Sequence, residues 1–243
     1  MPAIEIAQNS DDLAKIASVK IAQLAQQAIE ERGQFVISLT GGSTPRALYN
    51  LLSHTDLYPI DWHKTQICFG DERCVPPDHP DSNFKMAFET LLEKISIPQQ
   101  NIHRMPGEID SQSGAVAYEK TLHQIFPDQP FPSFDLILLG LGEDGHTASL
   151  FPDSPVLDQT RSWVSFVLHS SPPLPLVNRL TLTLPAINAA RNILFLVAGS
   201  AKQRILSQVL FGRTGQQIFP AQRIKPANGQ LIWLVDRSAA GQI

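Results

Sequence analysis

The loop GLGEDGH (residues 140–146) presents a histidine directly after the apolar run FDLILL. Histidine is the side chain that can act as a neutral base near pH 7. Most histidines are structural, but one on a glycine-rich loop at the end of a buried strand stands where α/β proteins bind their ligands. The sequence therefore predicts His146 as a general base, with Asp71 or Asp144 as the carboxylate that orients its imidazole.

The same loop matches the spacing G-x-G-x-x-G of dinucleotide-binding proteins, and this alternative fails on four counts. Two acidic residues between the glycines would repel a pyrophosphate, and Pro152 cuts short the helix that should follow. The next predicted strand runs into His169 and Ser170 instead of an acidic residue for a ribose hydroxyl. The motif also lies past the middle of the chain. We therefore expect no nucleotide cofactor.

A second loop, SLTGGSTPRALY (residues 38–49), leads from a strand into a helix. Free backbone N–H groups at a helix start bind anions, and the hydroxyl groups add donors. By itself the segment is more typical of a plain strand-to-helix turn with an N-cap than of an anion site. It predicts a phosphate site at Gly41, Gly42, Ser43 and Thr44.

Charged residues follow two other predicted strands. Asp71 and Arg73 come directly after the run TQICF, Arg179 begins the run RLTLTL, and Lys202 follows ILFLVAGSA. Arginine and lysine suit a phosphate monoester, although each alone is more typical of a surface charge. Together they predict a phosphate and sugar pocket at the ends of the strands.

The elements that must carry these loops alternate along the chain. Apolar runs rich in β-branched or aromatic residues predict strands at 34–40, 65–70, 134–140, 163–168, 179–184, 193–199 and 231–236. Helical patterns occupy residues 13–28, 45–52, 83–95, 115–126 and 201–210, and Gly33 is the predicted stop of the first. This alternation predicts an α/β fold with a mainly parallel sheet covered by helices on both faces, as one domain over residues 1–243. The tail after Val235 is expected to be loose.

Composition excludes several classes of partner. The 243 residues carry 19 Lys and Arg against 23 Asp and Glu, so no basic footprint predicts a nucleic-acid or membrane partner. The start of the chain lacks a secretory pattern, and we expect a cytoplasmic protein. Neither the seven histidines nor Cys68 and Cys74 show metal-ligand spacing. We expect no metal or other cofactor, a small-molecule partner only, and a monomer.

Four segments in this order resemble the 6-phosphogluconolactonase family, which is itself similar to the glucosamine-6-phosphate deaminases. The segments are LTGGSTPRALY, GDERCVPPDHPDSN, LGLGEDGHTASLFPDS and NRLTLTLPAIN followed by VAGSAK. The resemblance implies a Rossmann-like three-layer sandwich of the sugar-phosphate isomerase/deaminase type. It also implies that His146 is catalytic, that the Gly42–Ser43 loop, Arg179 and Lys202 hold a phosphate, and that Asp71 and Arg73 line a sugar pocket.

Within that resemblance, the activity expected is hydrolysis of 6-phospho-D-glucono-1,5-lactone to 6-phospho-D-gluconate in the oxidative pentose phosphate pathway. The deaminase relatives carry an Asn-Glu pair shortly after their histidine, whereas residues 149–152 here read SLFP, with no carboxylate. This departure favours the lactonase. A deaminase or aldose-ketose isomerase remains an alternative, as does a phosphosugar-binding protein without catalysis.

Overall fold

The computed structural model describes residues 3–212 and 218–243. Its central layer is a parallel sheet of six strands. These strands are β1 (Ala3–Ala7), β2 (Phe35–Leu39), β3 (Thr65–Phe69), β5 (Leu136–Leu139), β8 (Asn192–Val197) and β9 (Gln230–Asp236). They lie in the order β1-β9-β8-β5-β2-β3, so β2 and β5 are interior neighbours.

A smaller antiparallel sheet packs beside this layer. It consists of β4 (Asp71–Arg73), β7 (Arg179–Leu182) and β6 (Val164–Val167), in that order. The runs WVSFVL and RLTLTL are thus strands as predicted, but they belong to this second sheet instead of the parallel one. The sequence patterns missed β4, whose three residues are all charged, and the short, partly exposed β1.

Helices lie between the strands along the chain, and a last one follows β9. They are α1 (Ser10–Arg32), α2 (Ser43–Leu52), α3 (Asn83–Thr90), α4 (Ser111–Ile125), α5 (Leu184–Asn188), α6 (Gln203–Phe211) and α7 (Arg237–Ala240). Every residue of β2 and of β5 is buried. Because successive strand residues point to opposite faces, both faces of the sheet are covered, and the predicted fold class is confirmed.

The bounds of α1 follow from its local chemistry. The side chain of Asn9 accepts a hydrogen bond from the Asp12 N–H (2.9 Å) and caps the first turn. Gly33, the predicted stop, ends the helix with φ of +77°, a conformation that a residue with a side chain adopts only at a cost. None of the helices in the described part of the chain is both long and apolar enough to cross a membrane.

The C-terminal tail is ordered, and the expectation of a loose end is wrong. The Asp236 carboxylate accepts from the Ala239 N–H (2.7 Å) and caps α7, which buries Ala239 and Ala240. The same carboxylate accepts from the Gly199 N–H (3.0 Å). It therefore ties the tail to the loop that precedes Lys202.

Two buried tyrosines fix the points where neighbouring strands end. The Tyr49 hydroxyl donates to the Thr40 carbonyl (2.8 Å) and accepts from the Thr40 N–H (2.9 Å) just after β2. The Tyr118 hydroxyl does the same for Phe69 at the end of β3, at 3.1 and 2.8 Å. Because buried backbone groups need partners, these hydroxyls replace the sheet ladder where the chain turns away. The loops that follow leave from fixed positions.

Candidate active site

A cavity of about 250 Å³ lies where the loops after β2, β5 and β8 meet the second sheet. This is the edge at which parallel α/β sheets bind their ligands. All of the predicted site residues except Asp144 line it: Gly41, Gly42, Ser43, Thr44, Asp71, Arg73, His146, Arg179 and Lys202. The structure therefore brings together segments that are far apart in the sequence.

Asp144 lies behind the histidine and contacts it directly. Its Oδ1 is 2.5 Å from Nδ1 of His146 and 3.1 Å from the backbone nitrogen of the same residue. Partial burial acts to raise the pKa of Asp144, but the hydrogen bond and charge of His146 outweigh it and leave that pKa below its ordinary value. Of the two carboxylates considered from the sequence, Asp144 is the one that holds the imidazole.

Two glycines of the loop shape the backbone around the pair of His146 and Asp144. The Gly142 N–H donates to the His146 carbonyl (2.8 Å), and the Gly145 N–H donates to the Gly142 carbonyl (3.0 Å). A Cβ on Gly142 would lie 2.1 Å from Nδ1 of His146, so no larger residue fits there. Gly145 has φ of +81°, which also favours glycine. Of the three glycines in the spacing that resembles a dinucleotide fingerprint, Gly142 is thus the one required by the packing of the histidine.

Asp71 has other partners. It is 7% exposed, and its two oxygens accept from Oγ of Ser149 (2.7 Å) and Nδ2 of Asn83 (3.1 Å). Ser149 and Asn83 also line the cavity, and the sequence analysis assigned neither to the site. The contact that marks Asn83 as a site residue is seen only in the folded chain. A Cβ on Gly41 would lie 1.9 Å from Oδ1 of Asn83. Gly41 is therefore small because this amide packs against it.

Glu72 has a structural role between two residues of the site. In a strand the side chains alternate, so Asp71 and Arg73 share one face and Glu72 faces the other way. The buried Glu72 carboxylate accepts four hydrogen bonds, from Oγ of Ser82 and from the N–H groups of Arg73, Asn83 and Phe84. Burial raises the pKa of Glu72, and these bonds oppose that change. This carboxylate fixes the start of α3 and thereby places Asn83.

Two arginines of the second sheet form a cationic side of the cavity. Arg73 and Arg179 are registered partners across β4 and β7, an arrangement that is unfavourable for like charges. Within the described residues, Nε of each is buried without a hydrogen-bond partner. Burial and the charge of Arg73 lower the pKa of Arg179. A buried, incompletely bonded pair of cations is suited to bind an anion.

Lys202 and the start of α2 complete this cationic side. Nζ of Lys202 lies 3.8 Å from Oε1 of Glu143, a mostly exposed residue of the histidine loop. Helix α2 begins at Ser43, and its N-cap is Gly42, which has no side chain to bond the first N–H groups. These groups are therefore available to an anion, as in other helix N-termini that bind phosphate.

An aromatic wall adjoins the histidine and was also missed from the sequence. The Phe151 ring lies with its centroid 4.7 Å from that of His146 and 4.3 Å from that of His169. Phe151, Pro173 and Leu174 line the cavity. In the described part of the chain, no group of three or more His, Cys, Asp or Glu residues has a geometry that could hold a metal ion.

Comparison with known proteins gives consistent relatives. A model of the family described as glucosamine-6-phosphate isomerases/6-phosphogluconolactonase matches residues 8–233. A 6-phosphogluconolactonase of Synechocystis is 42% identical over 98% of this chain and 97% of its own. The solved 6-phosphogluconolactonase of Trypanosoma cruzi has a TM-score of 0.89 and 28% identity, over 100% of this chain and 97% of its own. A monomeric glucosamine-6-phosphate deaminase (TM-score 0.81, 21% identity, 99% of this chain and 100% of its own) shares the fold.

Proposed function

The chain belongs to the family of glucosamine-6-phosphate isomerases and 6-phosphogluconolactonases, and from this membership and the cavity we propose that it hydrolyses 6-phospho-D-glucono-1,5-lactone to 6-phospho-D-gluconate, a step of the oxidative pentose phosphate pathway. One observation carries the proposal. A carboxylate-bound histidine and a cluster of cations line the same cavity, as a phosphorylated lactone requires.

The phosphate is bound at the cationic side. Arg73, Arg179 and Lys202 supply positive charge, and the backbone N–H groups at Gly42 and Ser43 add neutral donors. Anchoring the distant phosphate converts the encounter at C1 into an oriented one, which lowers the entropic part of the barrier. Asp71, held by Ser149 and Asn83, faces the sugar between the two sides and accepts hydrogen bonds from its hydroxyl groups.

His146 acts as the base. Its Nδ1 proton is bonded to Asp144, so Nε2 carries the lone pair and takes a proton from water as the water oxygen attacks C1. When the tetrahedral intermediate collapses, the bond from C1 to the ring oxygen breaks and Nε2 returns the proton to that oxygen. General base catalysis of this kind is worth roughly 100- to 10,000-fold. The lactone is an activated ester, so this acceleration suffices without a covalent nucleophile.

The deaminase alternative receives less support from this cavity. The segment after the histidine provides Ser149, which is bonded to Asp71, and Phe151, which packs beside the imidazole. Neither supplies the carboxylate that the deaminase relatives place there. The fold does not separate the two activities, because a deaminase shares it. Cytoplasmic location and a monomeric state remain predictions from the sequence.

The test compares hydrolysis of freshly generated 6-phosphogluconolactone by the wild type and by His146→Ala with the spontaneous rate. We expect the variant to lose roughly 100- to 10,000-fold in kcat, because it lacks the base. His54→Ala, an exposed histidine outside the cavity, is the matched control and should keep full activity. Equal acceleration by the wild type and His146→Ala would remove this histidine from the mechanism. Release of ammonia from glucosamine 6-phosphate would instead support the deaminase.

A further inference from the structure

Residues 168–178, here called the strap, connect β6 to β7 and pass along the cavity. Pro173 and Leu174 of the strap line it. The strap buries little apolar surface of its own, since Leu168, Leu174 and Leu176 are 73%, 77% and 48% exposed. A segment with few buried contacts is held by its specific polar bonds.

Two side chains donate hydrogen bonds to carbonyl groups of the strap: His169, which is itself a strap residue, and Arg179, which begins β7. Nε2 of His169 donates to the Pro173 carbonyl at 2.6 Å, and Nη2 of Arg179 donates to the Pro175 carbonyl at 2.8 Å. His169 is only 7% exposed although it is polar. One of the two bonds therefore comes from an arginine of the cationic side, and the other from a histidine to which no role has been given.

The ring of His169 makes a second contact. It stacks on Phe151, with centroids 4.3 Å apart and planes 20° apart. The same phenyl ring approaches His146, with centroids 4.7 Å apart. The ring of one strap residue thus contacts the aromatic neighbour of His146.

We propose that His169 is a positioning residue for the lactone hydrolysis described above. Its Nε2–H fixes the shape of the strap between residues 169 and 173, so that Pro173 and Leu174 contact the bound substrate. Its ring keeps Phe151 beside His146 and so limits the movement of the imidazole. This inference rests on the proposed function where it is tested by the kinetics of lactone hydrolysis. It does not rest on that function where it is tested by ligand binding.

Two variants separate these contributions. His169→Phe keeps an aromatic ring against Phe151 and removes the donor to Pro173, so the Michaelis constant should rise about 10-fold, the effect of roughly one lost hydrogen bond, with kcat within about 2-fold. His169→Gln keeps an N–H donor and removes the ring, so kcat should fall about 10-fold through misplacement of the imidazole, with little change in the Michaelis constant. A role in folding alone would not divide in this way.

The control is His123→Phe. His123 also stacks on an aromatic ring, Trp163, with centroids 3.9 Å apart, but Trp163, unlike Phe151, does not line the cavity. Both kinetic constants should stay at wild-type values in this variant. Thermal unfolding of each variant checks that it folds. If His169→Phe and His169→Gln fold and change both constants in the same way, or change neither, the proposal is overturned.

Two further measurements cover variants that do not fold and a wild type without lactonase activity. Leu174→Ala changes an exposed side chain of the strap and should fold; an unchanged affinity would show that the strap does not contact the ligand and would overturn the proposal. Calorimetric titration with 6-phosphogluconate measures that affinity without turnover. Binding weakened about 10-fold in His169→Phe supports the proposal even if the lactone is not hydrolysed, and unchanged binding overturns it.

Discussion

The two sides of the cavity differ in how far their polar groups are satisfied before a ligand arrives. On the histidine side, Asp144 bonds to His146, and Gly142 bonds to the backbone of the same residue. On the cationic side, Arg73 and Arg179 lie opposite each other, and Nε of each is buried without a partner among the described residues. The histidine and its carboxylate are bonded to each other, whereas the second side keeps buried donors that our proposal assigns to an anion.

This difference indicates a division of work. In the proposed mechanism the base must hold one geometry throughout the reaction, and the bonds that hold His146 do not depend on the substrate. A phosphate site gains affinity when its cations are bonded by the ligand and by little else. Changes on the histidine side should therefore lower kcat, and changes on the cationic side should raise the Michaelis constant and weaken stabilisation by ligands.

The largest effect that sharpens this contrast is expected for Gly142→Ala. The added Cβ would lie 2.1 Å from Nδ1 of His146 and 2.7 Å from Oδ1 of Asp144, so the pair must move. A displacement of about 1 Å costs on the order of 100-fold in kcat. Gly140→Ala in the same loop has open space around its Cβ and should keep most of the activity. Equal kcat values for the two variants would contradict the proposed rigidity of the pair.

A smaller effect, on the Michaelis constant, is expected for Arg179→Met, which keeps much of the side-chain volume and removes the charge. Charged hydrogen bonds contribute roughly 1.5–3 kcal/mol, so the Michaelis constant should rise about 10- to 100-fold with a lesser change in kcat. The exposed Arg161→Met is the control and should behave as the wild type. A fall in kcat with an unchanged Michaelis constant would contradict the assignment of Arg179 to phosphate binding.

Ligand stabilisation gives a second measurement on the same variant. At about 100 times its Kd, 6-phosphogluconate should stabilise the wild type by about 2.7 kcal/mol, which raises Tm by roughly 5–11 °C for a chain of this size. At the same concentration the shift should be much smaller in Arg179→Met. Equal shifts in both proteins would show that the ligand does not complete the cationic side.

The parts of this molecule that were predicted from the sequence are those that local chemistry decides. The run FDLILL and the glycine loop after it span residues 134–146, and both the strand and the position of the histidine after it follow from them. Helix α1 likewise ends where Gly33 provides a left-handed turn. Periodicity, caps and turn residues carry such information without knowledge of the rest of the fold.

The parts that were missed depend on long-range contacts. Ser149 bonds to Asp71 across 78 positions of the chain, and Arg73 meets Arg179 only through the register of the second sheet. Strand β4 has no apolar pattern, because its residues are fixed by a helix cap and by the cavity instead of the core. The sequence also left Asp71 and Asp144 as equal partners for the histidine, since only the folded loop places one of them at Nδ1.

The smallest effect tests that last pairing through stability. The pKa of Asp144 in the folded chain lies below its ordinary value of 3.8, so the ionised carboxylate stabilises the fold above that pH. This contribution is lost as the pH falls through the lowered pKa. In Asp144→Asn, the deficit in the free energy of unfolding should be present at pH 6 and should shrink below pH 3.8, as measured by denaturant titration. The exposed Asp56→Asn, outside the cavity, controls for loss of a carboxylate. A deficit that is equal at pH 6 and below pH 3.8 would mean that the charge of Asp144 does not stabilise its pair with His146. The contrast between the histidine side and the cationic side would then be lost.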